Sequence, residues 1–312
     1  MHLATIAVNN GAPVAAVRLN DGSMLDIAKA ASGLSGETGA ALQSGTLQAV
    51  IEAGPEGLDA IRGLVAEAEA GQHADARHAA ADITLLAPLP SPRKNVFCVG
   101  RNYAEHIAEG DRAQNQKVGV TEHPVYFTKP PTAVIGPFAA IPIFPTLSES
   151  IDYEVELAVV IGKAGRNIPK DQAYDHIFGY TILNDISARD IQRRHGGQYF
   201  KGKALDGSCP TGPWIVTADA ISNPQNLSIR LSVNGEQRQN GNTASMIFDI
   251  PTLIESLSEG LTLEPGDLLA TGTPSGVGYA MDPPQFLKDG DVVVCEIEEI
   301  GRLENTMRTA DS

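Results

Sequence analysis

The sequence predicts an α+β chain that is mainly β: a sandwich or rolled barrel with a few helices attached, preceded by a small α+β unit. Two observations carry this reading. From about Asn95 onward, short β-type runs alternate with glycines and prolines, among them Val96–Val99, Ala158–Ile161, Trp214–Val216, Leu227–Val233 and Val292–Ile297. Many short strands with few long helices are the pattern of a sheet-rich layered fold. Ahead of them, Leu86–Pro92 places prolines at 88, 90 and 92, which reads as a stiff linker. The chain is therefore divided into a small N-terminal domain (1–85), a linker (86–92) and a larger domain (93–312).

The elements follow in order. Residues 3–8 and 14–19 alternate apolar with small or polar side chains around Asn9-Asn10-Gly11, a hairpin signal. Residues 39–82 are rich in Ala, Leu and Glu with a spacing that fits two short helices, and the Ala-rich part, 66–82, reads as a surface helix. In the larger domain, Ile177–Leu183 reads as a strand, and Ile250–Ser258 as a helix that stops at Gly260.

Composition narrows the function. At 312 residues, 42% hydrophobic and 20% charged, the chain has the makeup of a globular protein large enough for a sizeable core. A formal charge of −15 and a pI near 4.8 argue against nucleic acid, which needs a basic surface. Cys98, Cys209 and Cys295 are odd in number and far apart, so they read as buried, reduced thiols and neither a disulfide framework nor a zinc site. The N-terminus lacks a basic region followed by an apolar stretch, and no 18-residue apolar run occurs. A cytoplasmic location without membrane contact is the expectation.

The chemistry-bearing residues begin with Glu154 and Glu156, in Ile151-Asp152-Tyr153-Glu154-Val155-Glu156-Leu157. In a strand, positions i and i+2 point to one face, so the two carboxylates stand side by side. Such an alternation is often only the wet face of a strand. Here the strand continues as apolar Leu157–Ile161 and so reads as buried. Asp185, in Asn184-Asp185-Ile186-Ser187-Ala188-Arg189-Asp190, likewise follows an apolar β-type run. Carboxylates are seldom buried unless paired or bound to metal. Three hard oxygen ligands without His or Cys suit Mg²⁺ or Mn²⁺, accept Ca²⁺, and argue against Zn²⁺.

Three further segments matter. In Gly100–Gly110, a short helix over Tyr103–Glu109 would put His106 and Glu109 on one face. A carboxylate beside an imidazole fixes its tautomer and raises its basicity, as a general base requires; Gly110 would end the turn and free the segment to act as a lid. Lys203, between glycine and an apolar stretch, would stabilise an enolate or oxyanion. Thr271–Gly278 offers backbone N–H groups for an anion-binding nest. It lacks the lysine of a phosphate-binding loop, and Ser275 lacks the strand–turn–helix context of a nucleophile elbow.

Taken together, these segments resemble the fumarylacetoacetate hydrolase superfamily. The matching motifs run in order: Val99-Gly100-Arg101-Asn102-Tyr103, Phe127–Ala133, Asp152–Glu156, Asn184–Asp190, Lys203–Gly207 and Thr271–Gly278. The likeness covers roughly residues 93–308 and points to the acylpyruvase-like, or 2-oxo-hept-3-ene-1,7-dioate isomerase–hydratase-like, branch. It implies a mixed β-sandwich roll, a homodimer, and one Mg²⁺ or Mn²⁺ per subunit on Glu154, Glu156 and Asp185. His106, Glu109 and Lys203 match catalytic positions; Arg101, Tyr103, Lys129, Arg189, Gln192 and Thr273 match positions at the substrate. The implied substrate is a small 2-oxo acid. The expected reaction is hydrolysis of a C–C bond in an acylpyruvate (a 2,4-diketo acid), giving pyruvate and a carboxylic acid. The alternative is a lyase or isomerase acting on a 2-oxo acid of the oxaloacetate, 2-oxo-hept-3-ene-dioate or 2-keto-3-deoxy type. The polar stretch Asp111–Val120 is expected to choose what sits at the far end of the substrate.

Overall fold

Asn9 and Asn10, between the first two apolar runs, both take left-handed backbone (φ 48° and 59°), which short polar side chains tolerate. The turn sets β1 (His2–Val8) antiparallel to β2 (Pro13–Arg18), with Thr5 opposite Ala15. The structure, a computed structural model, describes residues 1–115 and 117–310. β3 (Met24–Asp26) extends the hairpin, and Asp26 caps α1 (Ile27–Ala30) by accepting from the Lys29 N–H.

Where two short helices are expected, three form: α2 (Gly36–Gln43), α3 (Leu47–Glu52) and α4 (Gly54–Glu69). Gly45 and Gly54 break the run with φ of 74° and 59°, and Thr46 starts α3 by accepting from the Ala49 N–H. The Ala-rich stretch 66–82 is not one helix. α4 stops at Glu69, Gly71 (φ 95°) reverses the chain, and β4 (Arg77–His78) and β5 (Ile83–Leu85) follow. The Pro-rich stretch is held against β1, because Thr5 Oγ1 donates to the Pro88 carbonyl at 2.6 Å.

The larger segment supplies β6 (Val96–Gly100), α5 (Ala104–Ala113), β7 (Val125–Lys129), β8 (Val134–Ile135) and β9 (Ala140–Ile143). Next come β10 (Ile151–Asp152), β11 (Val155–Ile161), β12 (Ile177–Asn184) and β13 (Ser187–Ala188). Two short helices, α6 (Arg189–Arg194) and α7 (Phe200–Lys203), lead into β14 (Cys209–Thr217), β15 (Ser228–Val233) and β16 (Glu236–Asn242). The chain ends with α8 (Ile250–Ser258), β17 (Leu268–Ala270), β18 (Val292–Ile297) and β19 (Gly301–Thr309). α8 forms as expected: Asp249 accepts from the Thr252 N–H at its start, and Gly260 (φ 70°) lies just past its end.

These strands build one 12-stranded sheet, ordered β4-β3-β2-β1-β14-β12-β11-β17-β6-β7, with β5 on β1 and β8 on β14. A five-stranded sheet runs β16-β15-β18-β19-β9, and β10 pairs with β13. The mainly β, sandwich-like expectation is met. β11 explains why: it has core on both faces, as a continuous apolar run requires. Leu157, Val159 and Ile161 join Ile229, Leu231 and Val293 of the five-stranded sheet and Leu253 of α8 in one core. Ala158 and Val160 face a second core with Leu3, Ile51 and Leu64 of the N-terminal segment. β12 and β14 are pressed close. A Cβ added at Gly179 of β12 would lie 2.2 Å from the Val216 carbonyl oxygen. Gly179→Ala is therefore expected to lower stability by about 1–3 kcal/mol or more, although alanine is the better residue in an open strand; an unchanged melting temperature would contradict this packing.

Candidate active site

The carboxylates gather where β11 begins and β12 ends. Val155 pairs with Asn184, so Glu154 and Glu156 meet Asp185 across the strand pair, and the Asp185 N–H donates to the Glu154 carbonyl at 2.8 Å. One oxygen from each of Glu154, Glu156 and Asp185 lies within 4.8 Å of the others, and all three are buried. Cations surround them. Lys203 Nζ donates to Glu154 Oε2 and Asp185 Oδ2, each at 2.8 Å. Lys129 Nζ donates to Asp185 Oδ1 at 2.7 Å. Arg189 Nη2 lies 2.7 Å from Glu154 Oε1 as a charge contact, without the angle of a hydrogen bond.

These contacts divide the triad electrically. Burial alone would raise the Glu154 pKa, but Lys203 and then Arg189 outweigh it and hold the group at about 2. Glu156 accepts only the Gly272 N–H, at 2.8 Å, and no cationic side chain pairs with it among the described residues. Burial, then repulsion from Asp185 and Glu154, pushes its pKa well above the usual carboxylate range. Counting Asp152 with the triad, four carboxylates meet Lys129, Arg189 and Lys203, one negative charge in excess. A buried carboxylate that lacks a cation, beside two others, fits a divalent ion of the Mg²⁺ or Mn²⁺ type. Such an ion would turn the local excess positive and draw an anionic substrate.

His106 and Glu109 sit on α5, three residues apart, with His106 Nδ1 2.9 Å from Glu109 Oε1. The helix runs through Gly110 to Ala113, so Gly110 does not end it. Its missing side chain has another cause: a Cβ there would lie 2.5 Å from Tyr279 Oη. Glu109 also ties α5 to the loop after β17, accepting from the Gly276 N–H at 2.9 Å.

That loop is the expected anion nest, but the anions it holds are the protein's own. The Gly272 N–H serves Glu156, the Gly276 N–H serves Glu109, and the Gly278 and Tyr279 N–H groups serve Asp152 at 2.8 and 3.1 Å. Asp152 is the residue that sequence reasoning missed. It accepts from Arg189 Nε at 2.9 Å as well, and so fixes that arginine and the loop together. Its signal was present, a carboxylate two residues before Glu154 in the same run, Ile151–Leu157.

A cavity of about 470 Å³ opens beside these groups. His106, Lys203, Arg101, Arg189, Gln192, Thr273 and Glu154 line it, as do Gln114 and Val118 from the stretch Asp111–Val120 and Thr121 just beyond it. Gln116 of that stretch lies outside the described residues. Arg101 takes left-handed backbone (φ 61°), a strained state for a long side chain, and Arg101 Nη2 donates to Asp111 Oδ1 at 3.0 Å. Two residues expected at the substrate lie elsewhere. Lys129 is fully buried and spends its ammonium on Asp185 and the carbonyls of Ile186 and Lys203. Tyr103 precedes α5, is buried, and bridges to Met246.

A strand-rich fold whose cavity is lined by Glu154 of a buried carboxylate triad and by His106 of a His–Glu pair has the architecture of an enzyme for a small molecule. Residues 95–308 match the fumarylacetoacetate (FAA) hydrolase C-terminal family. The chain is 50% identical over 224 residues to oxaloacetate tautomerase YisK of Bacillus subtilis (strain 168), covering 72% of this chain and 73% of that protein. It is 45% identical over 250 residues to the mitochondrial oxaloacetate tautomerase fahd2 of Xenopus laevis, covering 80% and 75%. Its structure matches maleylpyruvate hydrolase from Sphingobium sp. SYK-6, solved with manganese(II) and pyruvate, over 100% of both chains, with a TM-score of 0.75 and 29% sequence identity. The chain belongs to the fumarylacetoacetate hydrolase family. No described helix is long and apolar enough to cross a membrane.

Proposed function

We propose that this chain catalyses keto–enol tautomerisation of oxaloacetate or a closely similar 2-oxo diacid, with Glu154, Glu156 and Asp185 holding Mg²⁺ or Mn²⁺. The observation that carries the reading is that His106, bonded to Glu109, and Glu154 of the triad line one cavity. The two tautomerase relatives, at 50% and 45% identity, support it over the C–C hydrolysis expected from the sequence.

The reaction moves one proton between oxygen and carbon, consumes no water and breaks no C–C bond. With Nδ1–H donated to Glu109, a tautomer assigned from the bonding pattern, His106 keeps Nε2 as its basic atom. Nε2 takes the proton from carbon 3 of the keto acid and the resulting imidazolium gives it to the enolate oxygen, completing the enol; the reverse direction runs the same two transfers backward. Glu109, at 2.9 Å, stabilises the imidazolium that forms. Lys203, held ammonium by Asp185 and Glu154 against the cost of burial, compensates negative charge on the enolate oxygen. A divalent cation, when bound, supplies Lewis-acid polarisation of the 2-oxo group.

A hydrolase reading is favoured by one observation, the structural match to a maleylpyruvate hydrolase; there the same His–Glu pair would activate water. Product identity separates the two. Purified chain with Mg²⁺ is expected to equilibrate the enol and keto forms of oxaloacetate, followed by NMR, and to leave acylpyruvates intact. Rapid release of pyruvate and a second acid from an acylpyruvate would move the assignment to hydrolysis.

A further inference from the structure

Four cationic side chains line the cavity: Arg101, Arg189, Arg193 and Lys203. The protein's own carboxylates already match three of them. Arg101 is paired with Asp111, Arg189 with Asp152 and Glu154, and Lys203 with Glu154 and Asp185. Arg193 has no carboxylate partner among the described residues. Its guanidinium instead lies 5.1 Å from the centroid of the Tyr279 ring, the ring that also carries Arg189 at 4.4 Å.

Local structure explains why Arg193 faces the cavity. On α6, Arg189, Gln192 and Arg193 stand at i, i+3 and i+4, which places them on one face. Arg189 Nη1 donates to Gln192 Oε1 at 3.3 Å, so the first two members are tied to each other. The third is left to solvent and to the ring. An arginine stacked on an aromatic face keeps its planar fork of N–H groups free for a carboxylate. Spacing in the sequence would have found it: Arg193 lies one helical turn beyond Arg189.

We propose that Arg193 is a specificity-determining residue that receives the distal carboxylate of a 2-oxo diacid. The other end of the substrate meets the triad side of the cavity, where Lys203 and Arg189 are already engaged. Arg193 supplies the one cavity-lining charge without a carboxylate partner among the described residues, one helical turn beyond Arg189, and the Tyr279 ring limits its orientations. A diacid is preferred over a monoacid because only the diacid brings a second carboxylate to that charge. This inference rests on the 2-oxo acid reading of the same cavity.

The test compares oxaloacetate with 2-oxobutyrate, which has a methyl group where oxaloacetate has its distal carboxylate. Binding of each to the wild-type chain and to Arg193→Ala and Arg193→Lys is measured by calorimetry with Mg²⁺ present. Arg193 is exposed, and melting curves check that the variants fold. The expected result is a loss of oxaloacetate affinity of about tenfold or more in Arg193→Ala, partial retention in Arg193→Lys, and unchanged affinity for 2-oxobutyrate. Equal weakening of both acids, weakening of neither, or a wild-type chain without preference for the diacid would overturn the assignment. Failure of the tautomerase reading looks different: diacid preference would still depend on Arg193, but tautomerisation would not be accelerated.

Discussion

His106→Ala is expected to slow enzymatic tautomerisation of oxaloacetate by about 10²- to 10⁴-fold, the range a positioned general base contributes. Mg²⁺ affinity should stay at the wild-type level, because the imidazole bonds Glu109 and none of Glu154, Glu156 or Asp185. Glu109→Gln should give a smaller loss of the same kind. It keeps the shape of the side chain but removes the charge that stabilises the imidazolium. Calorimetry with Mg²⁺ and a rate measurement on the same preparation read both effects. Full activity in His106→Ala would remove the histidine from the mechanism.

The second large effect concerns Glu156, the triad member without a cationic partner. Without metal, Glu156→Gln is expected to keep or raise the melting temperature. The change removes a buried group whose ionised form Asp185 and Glu154 oppose, and the amide oxygen still accepts the Gly272 N–H. With Mg²⁺ at a hundredfold excess over Kd, the wild-type chain gains about 2.7 kcal/mol, roughly 4 °C in melting temperature for a chain of 312 residues; the variant should gain nothing and be inactive. Thermal melts with Mg²⁺ and with EDTA decide it. A Glu156→Gln chain that Mg²⁺ still stabilises would place the ion elsewhere.

Much of this was legible from local pattern. Asn9-Asn10-Gly11 marked a hairpin because its residues accept left-handed backbone, and α8 carried its own cap and stop. The carboxylates stood out because i, i+2 spacing in an apolar strand leaves them buried together, and His106 and Glu109 because i, i+3 spacing joins them. What local pattern does not carry is the choice of partners made across the fold. Lys129 is expected at the substrate, but β7 delivers it beneath Asp185, where the excess of carboxylates makes a buried ammonium favourable. The Gly-rich loop reads as an anion site and is one, but Glu109, Asp152 and Glu156 occupy it. Gly110 reads as a stop signal, while its role depends on Tyr279, far along the chain.

The same distinction applies to the reaction. A triad and a His–Glu pair serve both hydrolysis and tautomerisation, since each begins with a base beside a polarised 2-oxo acid. What separates them is whether water reaches a second carbonyl, and that depends on the substrate and on the far wall of the cavity.

The most direct measurement follows the ultraviolet absorbance of enol-oxaloacetate by stopped flow, with purified chain, in Mg²⁺ and again in EDTA. The account predicts that the absorbance decays many-fold faster with enzyme and Mg²⁺ than in buffer containing Mg²⁺ alone, with oxaloacetate recovered as the keto form. In EDTA that acceleration is lost. Decay at the buffer rate in both conditions would contradict the tautomerase assignment.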